Sequence, residues 1–324
     1  MSTAARIARH TALAACLAAA AGQAVAQDPL TTRCESAPIA ALFKVFGDTG
    51  RMPPDLGRFL QTAALQKIEP YKAFDNVHYV GICWVSAWLI TSPQGHVLID
   101  TLYGPYTTPM LDNIRRLGFD PQDIRQVVIT HGHFDHAGGA ATLKAALPNA
   151  RFAMTAEGWR EAAESAAQSA SRPDRWSMVD KDIVLTDGQV LEVGSIRLQA
   201  FETPGHTMGT SSFAFDAFDG GKRYRAFTVG GLGLNAIKGP EQVEAFIASL
   251  QRIRRLTEDP KDPVTTHLTT HAFSNGLTEA KALIQGRPPG APHPLVDPNG
   301  FRAQLDALQA GAAQRLVVER AKKN

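Results

Sequence analysis

The chain has no block of lysines or arginines, no CxxC pair and no fixed-period repeat. It also lacks an apolar run of the roughly 20 residues that a membrane-spanning helix needs. Each absence removes a class of function. Without a basic block, nucleic acid and anionic membrane surfaces are unsupported as partners. Without CxxC, a cysteine-held metal site has no local anchor. The longest apolar run, Thr11–Gly22, is too short to cross a bilayer.

Cysteine is scarce, with three in 324 residues, and the first falls in a leader. Met1–His10 holds Arg6 and Arg9 and no acid, an alanine- and leucine-rich run follows, and Ala24-Val25-Ala26 supplies a small-x-small pattern. This reads as a secretory signal peptide over residues 1–26, cut after Ala26. Leu13-Ala14-Ala15-Cys16 resembles a lipobox, but few apolar residues precede Cys16 and the apolar run continues past it. The mature chain, residues 27–324, is expected as a single-domain monomer in the periplasm or outside the cell. Its length suffices for an extensive core. Losing the leader takes Lys+Arg from 33 to 31 against 31 acids, so the mature chain is formally neutral. Cys34 and Cys83 remain, an even pair in an oxidising compartment, which predicts a disulfide.

After an irregular arm, the pattern predicts strands at Asn76–Gly81, Trp84–Thr91 and His96–Thr101, with Ser92-Pro93-Gln94-Gly95 as a turn. A helix over Tyr106–Leu117, a strand at Arg125–Thr130, a helix at Ala140–Leu147, a strand at Arg151–Met154 and a helix at Ala156–Ala167 follow. The middle is β-rich: Asp182–Leu185, Val190–Val193, Ile196–Glu202, Ser211–Asp216 and Arg223–Val229. Then come a helix at Gly239–Leu256, a strand at Val264–Thr270 and a helix at Leu277–Ile284. A Pro/Gly linker precedes a last helix capped by Asp297, with Pro298 in its first turn. Phe301, Leu305, Leu308 and Leu316 give that helix a docking face. β-rich blocks alternating with helices in both halves predict an α/β fold of two packed sheets with helices outside.

What is abundant is concentrated in one place. "VVITHGHFDHAGG" sets His131, His133, Asp135 and His136 at the end of an apolar strand, before Gly138 and Gly139. His131 and His133, two apart, share one side of an extended chain. Histidine nitrogen and carboxylate oxygen suit zinc. Four donors in six residues do not fit one tetrahedral ion with an open position, so two ions are expected, each one ligand short. His206, in "FETPGHTMG", and His271, in "VTTHLTTHAF", are the candidates. The first ion takes His131, His133 and His206; the second takes Asp135, His136 and His271. His267 cannot serve alongside His271, because on a strand the two lie about 13 Å apart. His78, His96 and His293 read as structural.

At these residues the chain resembles the metallo-β-lactamases, and within that superfamily their third subclass. The likeness rests on "HYVGICWVSAWLITSPQGHVLIDT", "ITHGHFDHAGG", "ETPGHTMGTSSF", "THAF" and "PLVDPNGFRAQL". It implies an αββα sandwich and zinc-dependent hydrolysis of a β-lactam by water activated at two zinc ions, with Asp135 orienting the nucleophile or passing its proton. Many thioesterase-like, phosphodiesterase and lactonase members place a metal-bridging aspartate after the fourth β block. Here that segment reads "AFTVGGLGLN", with neither that acid nor the cysteine of the first subclass. The third subclass uses the histidine after the aspartate instead, which fits His136. Members commonly carry serine in this segment, where Gly231 and Gly233 stand. Asn235 is a candidate substrate contact or a turn residue; Asp100 either orients a ligand histidine or caps a strand end. The rival readings are a hydrolase of lactones or thioesters and a non-catalytic metal-binding protein.

Overall fold

The computed structural model describes residues 34–49, 51–234 and 237–323. The leader, with Cys16, and Asn235 lie outside the described residues. Two sheets stack face to face. The first has seven strands, in the order β1 (Tyr71–Phe74), β2 (Val77–Tyr79), β3 (Trp88–Ser92), β4 (Gly95–Ile99), β5 (Ile124–Val128), β6 (Arg151–Thr155) and β7 (Ile183–Leu185). The second has five: β12 (Val264–His267), β11 (Lys222–Thr228), β10 (Ser211–Asp219), β9 (Ile196–Glu202) and β8 (Val190–Val193). Helices α1 (Ser36–Thr49), α2 (Pro54–Gln61), α3 (Thr107–Arg116), α5 (Ala140–Ala146) and α6 (Ala156–Ser169) pack on the outside of the first sheet. On the second sheet pack α7 (Pro240–Thr257) and α9 (Pro298–Lys323). Two short helices, α4 (Phe134–Ala137) and α8 (Ala280–Gln285), complete the set. Among the described residues, no helix is long and apolar enough to cross a membrane.

The central strands β3 and β4 of the first sheet are buried on both faces, which is why they read as near-continuous apolar runs rather than alternations. Trp88 and Ile90 of β3, and Val97 and Ile99 of β4, face the second sheet and meet Leu198, Phe213 and Phe215. Leu89 and Leu98, one residue out of phase, face the helices. Burial of such side chains contributes about 1.5–3 kcal/mol each.

Strand direction decides where the histidines gather. β4 and β5 are parallel, with Ile99 opposite Val128, so Asp100 and the HGHFDH segment leave the sheet at one edge. β9 runs antiparallel to β10, β10 antiparallel to β11, and β11 parallel to β12. The C-terminal ends of β9, β11 and β12 therefore share one edge of the second sheet. The Ser211 amide donates to Thr130 O at 2.8 Å and draws the two edges together.

The arm before the sheets is helical, not irregular. Ile39, Leu42, Phe43 and Phe46 recur at helical spacing on α1 and pack into the first core, and the Cys34–Cys83 disulfide pins the helix start to the sheet, with Cα atoms 5.7 Å apart. β1 was not expected; its four residues are too few to show a clear alternation. The strand expected from Trp84 starts at Trp88, because residues 80–87 form a tight reversal closed by Val80 N to Ala87 O (3.0 Å) and Ile82 N to Val85 O (2.9 Å). The strand expected to reach Thr270 stops at His267, one pairing beyond which its partner β11 has ended. The helix expected at Leu277–Ile284 occupies Ala280–Gln285. Asp297 caps α9 by accepting from the Gly300 amide at 2.8 Å, and Phe301 and Leu305 are buried against α7.

The bridge closes a 49-residue separation, for which chain entropy gives roughly 4 kcal/mol. The Cys34→Ser/Cys83→Ser double variant is expected to melt about 8–15 °C lower by calorimetry. An unchanged melting temperature would show that the bridge does not hold the fold.

Candidate metal centre

Three nitrogens form a nearly equilateral triangle at the joined sheet edges. His131 Nε2 lies 3.1 Å from His133 Nδ1, and His206 Nε2 lies 3.1 Å from each. A tetrahedral zinc ion with roughly 2.0–2.1 Å bonds spaces its nitrogens about 3.3 Å apart. His131 follows the end of β5, His133 precedes α4, and His206 sits in the turn between β9 and β10. A second group gathers beside it. Asp135 Oδ2 is 3.1 Å from His136 Nε2 and 3.8 Å from His271 Nε2, and the two imidazole nitrogens are 3.3 Å apart. His131 stands between the groups and also reaches Asp135 and His136.

The outer hydrogen bonds fix which ring nitrogens carry protons. His206 Nδ1 donates to Gly233 O at 2.6 Å, and His271 Nδ1 donates to Trp84 O at 2.9 Å. His136 Nδ1 donates to Asp100 Oδ2 at 2.8 Å. The Thr130 hydroxyl donates to the same carboxylate at 3.0 Å, so it accepts from His131 Nδ1 at 3.1 Å. The His206, His271 and His131 rings therefore turn an Nε2 lone pair inward, and His136 turns its Nε2 toward Asp135. In the first group, only His133 could bring a proton, and it would have to serve two acceptors at once. A cation at the centre satisfies all three nitrogens, and this donor chemistry fits a divalent metal.

The electrostatics agree for the first group. Burial pushes His131 well below its usual value and, with His133 nearby, takes His206 down to about 3. Burial likewise takes His271 to about 4. These imidazoles are neutral, and their lone pairs are available, at physiological pH. His136 differs. Burial opposes its charge, but Asp135 and then Asp100 raise it to about 10. In the metal-free chain, a proton on His136 balances the two carboxylates, and a metal binds by displacing it.

Asp100 does more than end its strand. Its Oδ1 accepts the Thr130 amide at 2.8 Å while Oδ2 takes Thr130 Oγ1 and His136 Nδ1. Its φ of 66° and that of Leu102, 55°, lie in the left-handed region, at a cost of order 1–3 kcal/mol each. The conformation is held by Thr101 N and Oγ1 donating to His136 O at 2.9 and 2.7 Å. Gly231 has an equally concrete reason to lack a side chain: a Cβ there would lie 2.4 Å from His206 Cβ and Cγ. The remaining histidines among the described residues stay out of the cluster. His267 is buried on Phe301 and donates to Gln304 Oε1; His78 and His96 pack on Phe119, and His293 stacks on Phe74. The carbonyls of Trp84 and Gly233, which aim His271 and His206, were missed because backbone atoms carry no residue-type signal.

Asp100→Asn removes the charge behind His136 and is expected to weaken metal binding at the second group about 10–100-fold, read by competition with a chromophoric chelator. Gly231→Ala forces His206 off its position, so it should weaken the first group by about tenfold or more. Wild-type affinity in Gly231→Ala would show that the ring is free to shift.

The model for the metallo-beta-lactamase superfamily matches residues 80–217, a span that takes in Asp100, the HGHFDH segment and His206. Among solved structures, the native FEZ-1 metallo-beta-lactamase from Legionella gormanii aligns at TM-score 0.70 with 24% identity, over 79% of this chain and 98% of its own. BJP-1, a subclass B3 metallo-beta-lactamase of Bradyrhizobium japonicum, aligns at TM-score 0.68 with 22% identity, over 80% and 97%. MIM-1 from Novosphingobium pentaromativorans aligns at 0.66 with 29% identity, over 79% and 92%. Curated relatives bear other names. A hydroxyacylglutathione hydrolase of Rhodopseudomonas palustris (strain ATCC BAA-98 / CGA009) is 28% identical over 56% of this chain and 64% of its own. The N-acyl homoserine lactonase AttM of Rhizobium johnstonii is 28% identical over 40% and 58%. The chain spans about a quarter to two thirds of the length of the curated relatives it matches. Residues 80–217 thus form a domain of the metallo-beta-lactamase superfamily by the family model, and the fold matches that of solved metallo-beta-lactamases over nearly all of their length.

Proposed function

We propose that the chain hydrolyses the amide bond of β-lactam antibiotics at a centre of two zinc ions, acting as an exported, single-domain monomer. The observation that carries this reading is the carboxylate count. The donor groups contain one acid, Asp135, and the exit of β11, where thioesterase- and lactonase-type members keep a bridging aspartate, consists of Val229 and glycines 230 and 231. The length of the match to solved β-lactamases supports the same choice. The disulfide supports an oxidising compartment.

The first zinc is held by His131, His133 and His206, the second by Asp135, His136 and His271. Bound zinc supplies what no side chain here can, namely water activated near neutral pH and a polarised carbonyl. Asp135, buried beside His136 and His271, accepts a hydrogen bond from the attacking water and so orients it. It then takes the released proton and passes it to the departing amide nitrogen. Asp100 and the Trp84 carbonyl keep His136 and His271 in the donor-inward tautomer throughout. Phe134 and Met208 stand exposed, at 38% and 46%, on the two segments that carry the histidines, and offer apolar surface to a substrate side chain.

The names of the curated relatives favour a second reading, hydrolysis of a thioester or lactone. Parallel kinetics on a chromogenic cephalosporin, an acyl homoserine lactone and a glutathione thioester separate the two. The cephalosporin is expected to have a kcat/KM at least about 100-fold higher, equivalent to about 2.7 kcal/mol of transition-state preference. Its turnover should vanish on chelation and return with zinc. A preference for the lactone or thioester would replace the proposal by its rival, and lactam cleavage without metal would end both.

A further inference from the structure

The turn that presents His206 is gripped from two helices. From α6, the Glu161 carboxylate accepts the amides of Met208 and Gly209, each at 3.0 Å. From α7, Gln242 Nε2 donates to Gly205 O at 3.0 Å and to His206 O at 3.1 Å, while its Oε1 accepts the Lys238 amide at 3.0 Å. Ser249 Oγ donates to Pro204 O at 2.8 Å. Gly205, at φ 135°, lies so close to α7 that a Cβ would fall 2.3 Å from Phe246 Cα. The backbone on both sides of His206 is thus fixed by side chains that are not themselves candidate donors.

We infer that Glu161 and Gln242 are positioning residues of the first metal site, one taking amides after His206 and the other taking carbonyls at and before it. The inference rests on the metal reading above. The turn closes on itself through Thr203 N to Thr210 O at 2.9 Å and Gly205 N to Thr207 O at 2.8 Å, and the clamp is what ties that closed turn to α6 and α7. Two neighbouring amides aimed at one carboxylate leave no room for a neutral substitute. In Glu161→Gln the new NH2 must face one of the two N–H groups, so one bond becomes a repulsion at nearly unchanged shape. In Gln242→Glu, a carboxylate meets two carbonyl oxygens. The second group is outside the clamp: Asp135 and His136 sit on α4, and His271 hangs from Trp84 O.

The test is cobalt(II) titration of the wild type, E161Q and Q242E, read by visible absorption and by equilibrium dialysis, with H206A and H271A as references. Two cobalt ions per wild-type chain are expected. In E161Q, one of the two should bind about 10–100-fold more weakly, and the spectrum at low cobalt should match that of H206A rather than H271A. Q242E should show the same pattern, which keeps the test open if either variant folds poorly. Wild-type affinity and spectrum in both variants, or equal weakening of both ions, would overturn the clamp. Fewer than two ions on the wild type would overturn the two-metal reading instead, and the assignment of a first site with it.

Discussion

The constraint on which the site depends is the confrontation of buried nitrogen lone pairs. His131, His206 and His271 each commit one ring nitrogen to an acceptor behind them and point the other, a lone pair, inward. Desolvation makes protonation of most of these rings costly, so the inward lone pairs repel unless a cation joins them. Metal affinity and fold are therefore coupled. The same interactions that make the empty centre unfavourable make the filled one stable, because the ligands arrive already oriented.

Two sheets bring this about by direction alone. Because β4 and β5 run parallel, the carboxylate that ends one strand meets the histidines that follow the other. Because β9, β11 and β12 share a direction, the His206 turn, the glycine segment and the His271 loop emerge together. The distribution of acids within that edge is what bears on substrate choice. A metal pair bridged by a carboxylate is electrically different from the proposed pair, held by five histidines and one aspartate, whose ions would keep more of their charge for substrate.

Much of the centre was legible in the sequence because its side chains are rare types at telling spacings. HGHFDH has no structural use for its donors, and a histidine after a Pro-Gly turn or at a strand end is well placed to complete them. Strand interiors were legible for a related reason: burial on both faces leaves unbroken apolar runs. What stayed hidden is tertiary. Helix α1 has a helical signal in the spacing of Ile39, Leu42, Phe43 and Phe46, but the core and the disulfide that hold it are tertiary. The shortened ends of β3 and β12 depend on where their partners stop, and Asn76–Tyr79 shows no sign that Tyr71–Phe74 will pair with it. Glu161 and Gln242 look like ordinary polar helix residues until the turn they hold is seen.

The bridge between Cys34 and Cys83 has a bearing beyond stability. Cys83 immediately precedes Trp84, whose indole stacks on His271 with ring centres 5.9 Å apart and whose carbonyl orients that imidazole. Phe43, on the helix anchored by the same cross-link, stacks on Phe273 two residues beyond His271. Oxidation of one sulfur pair thus tethers both sides of the segment that carries His271. Thiol pairing and the placement of the His271 imidazole share a single short stretch of chain.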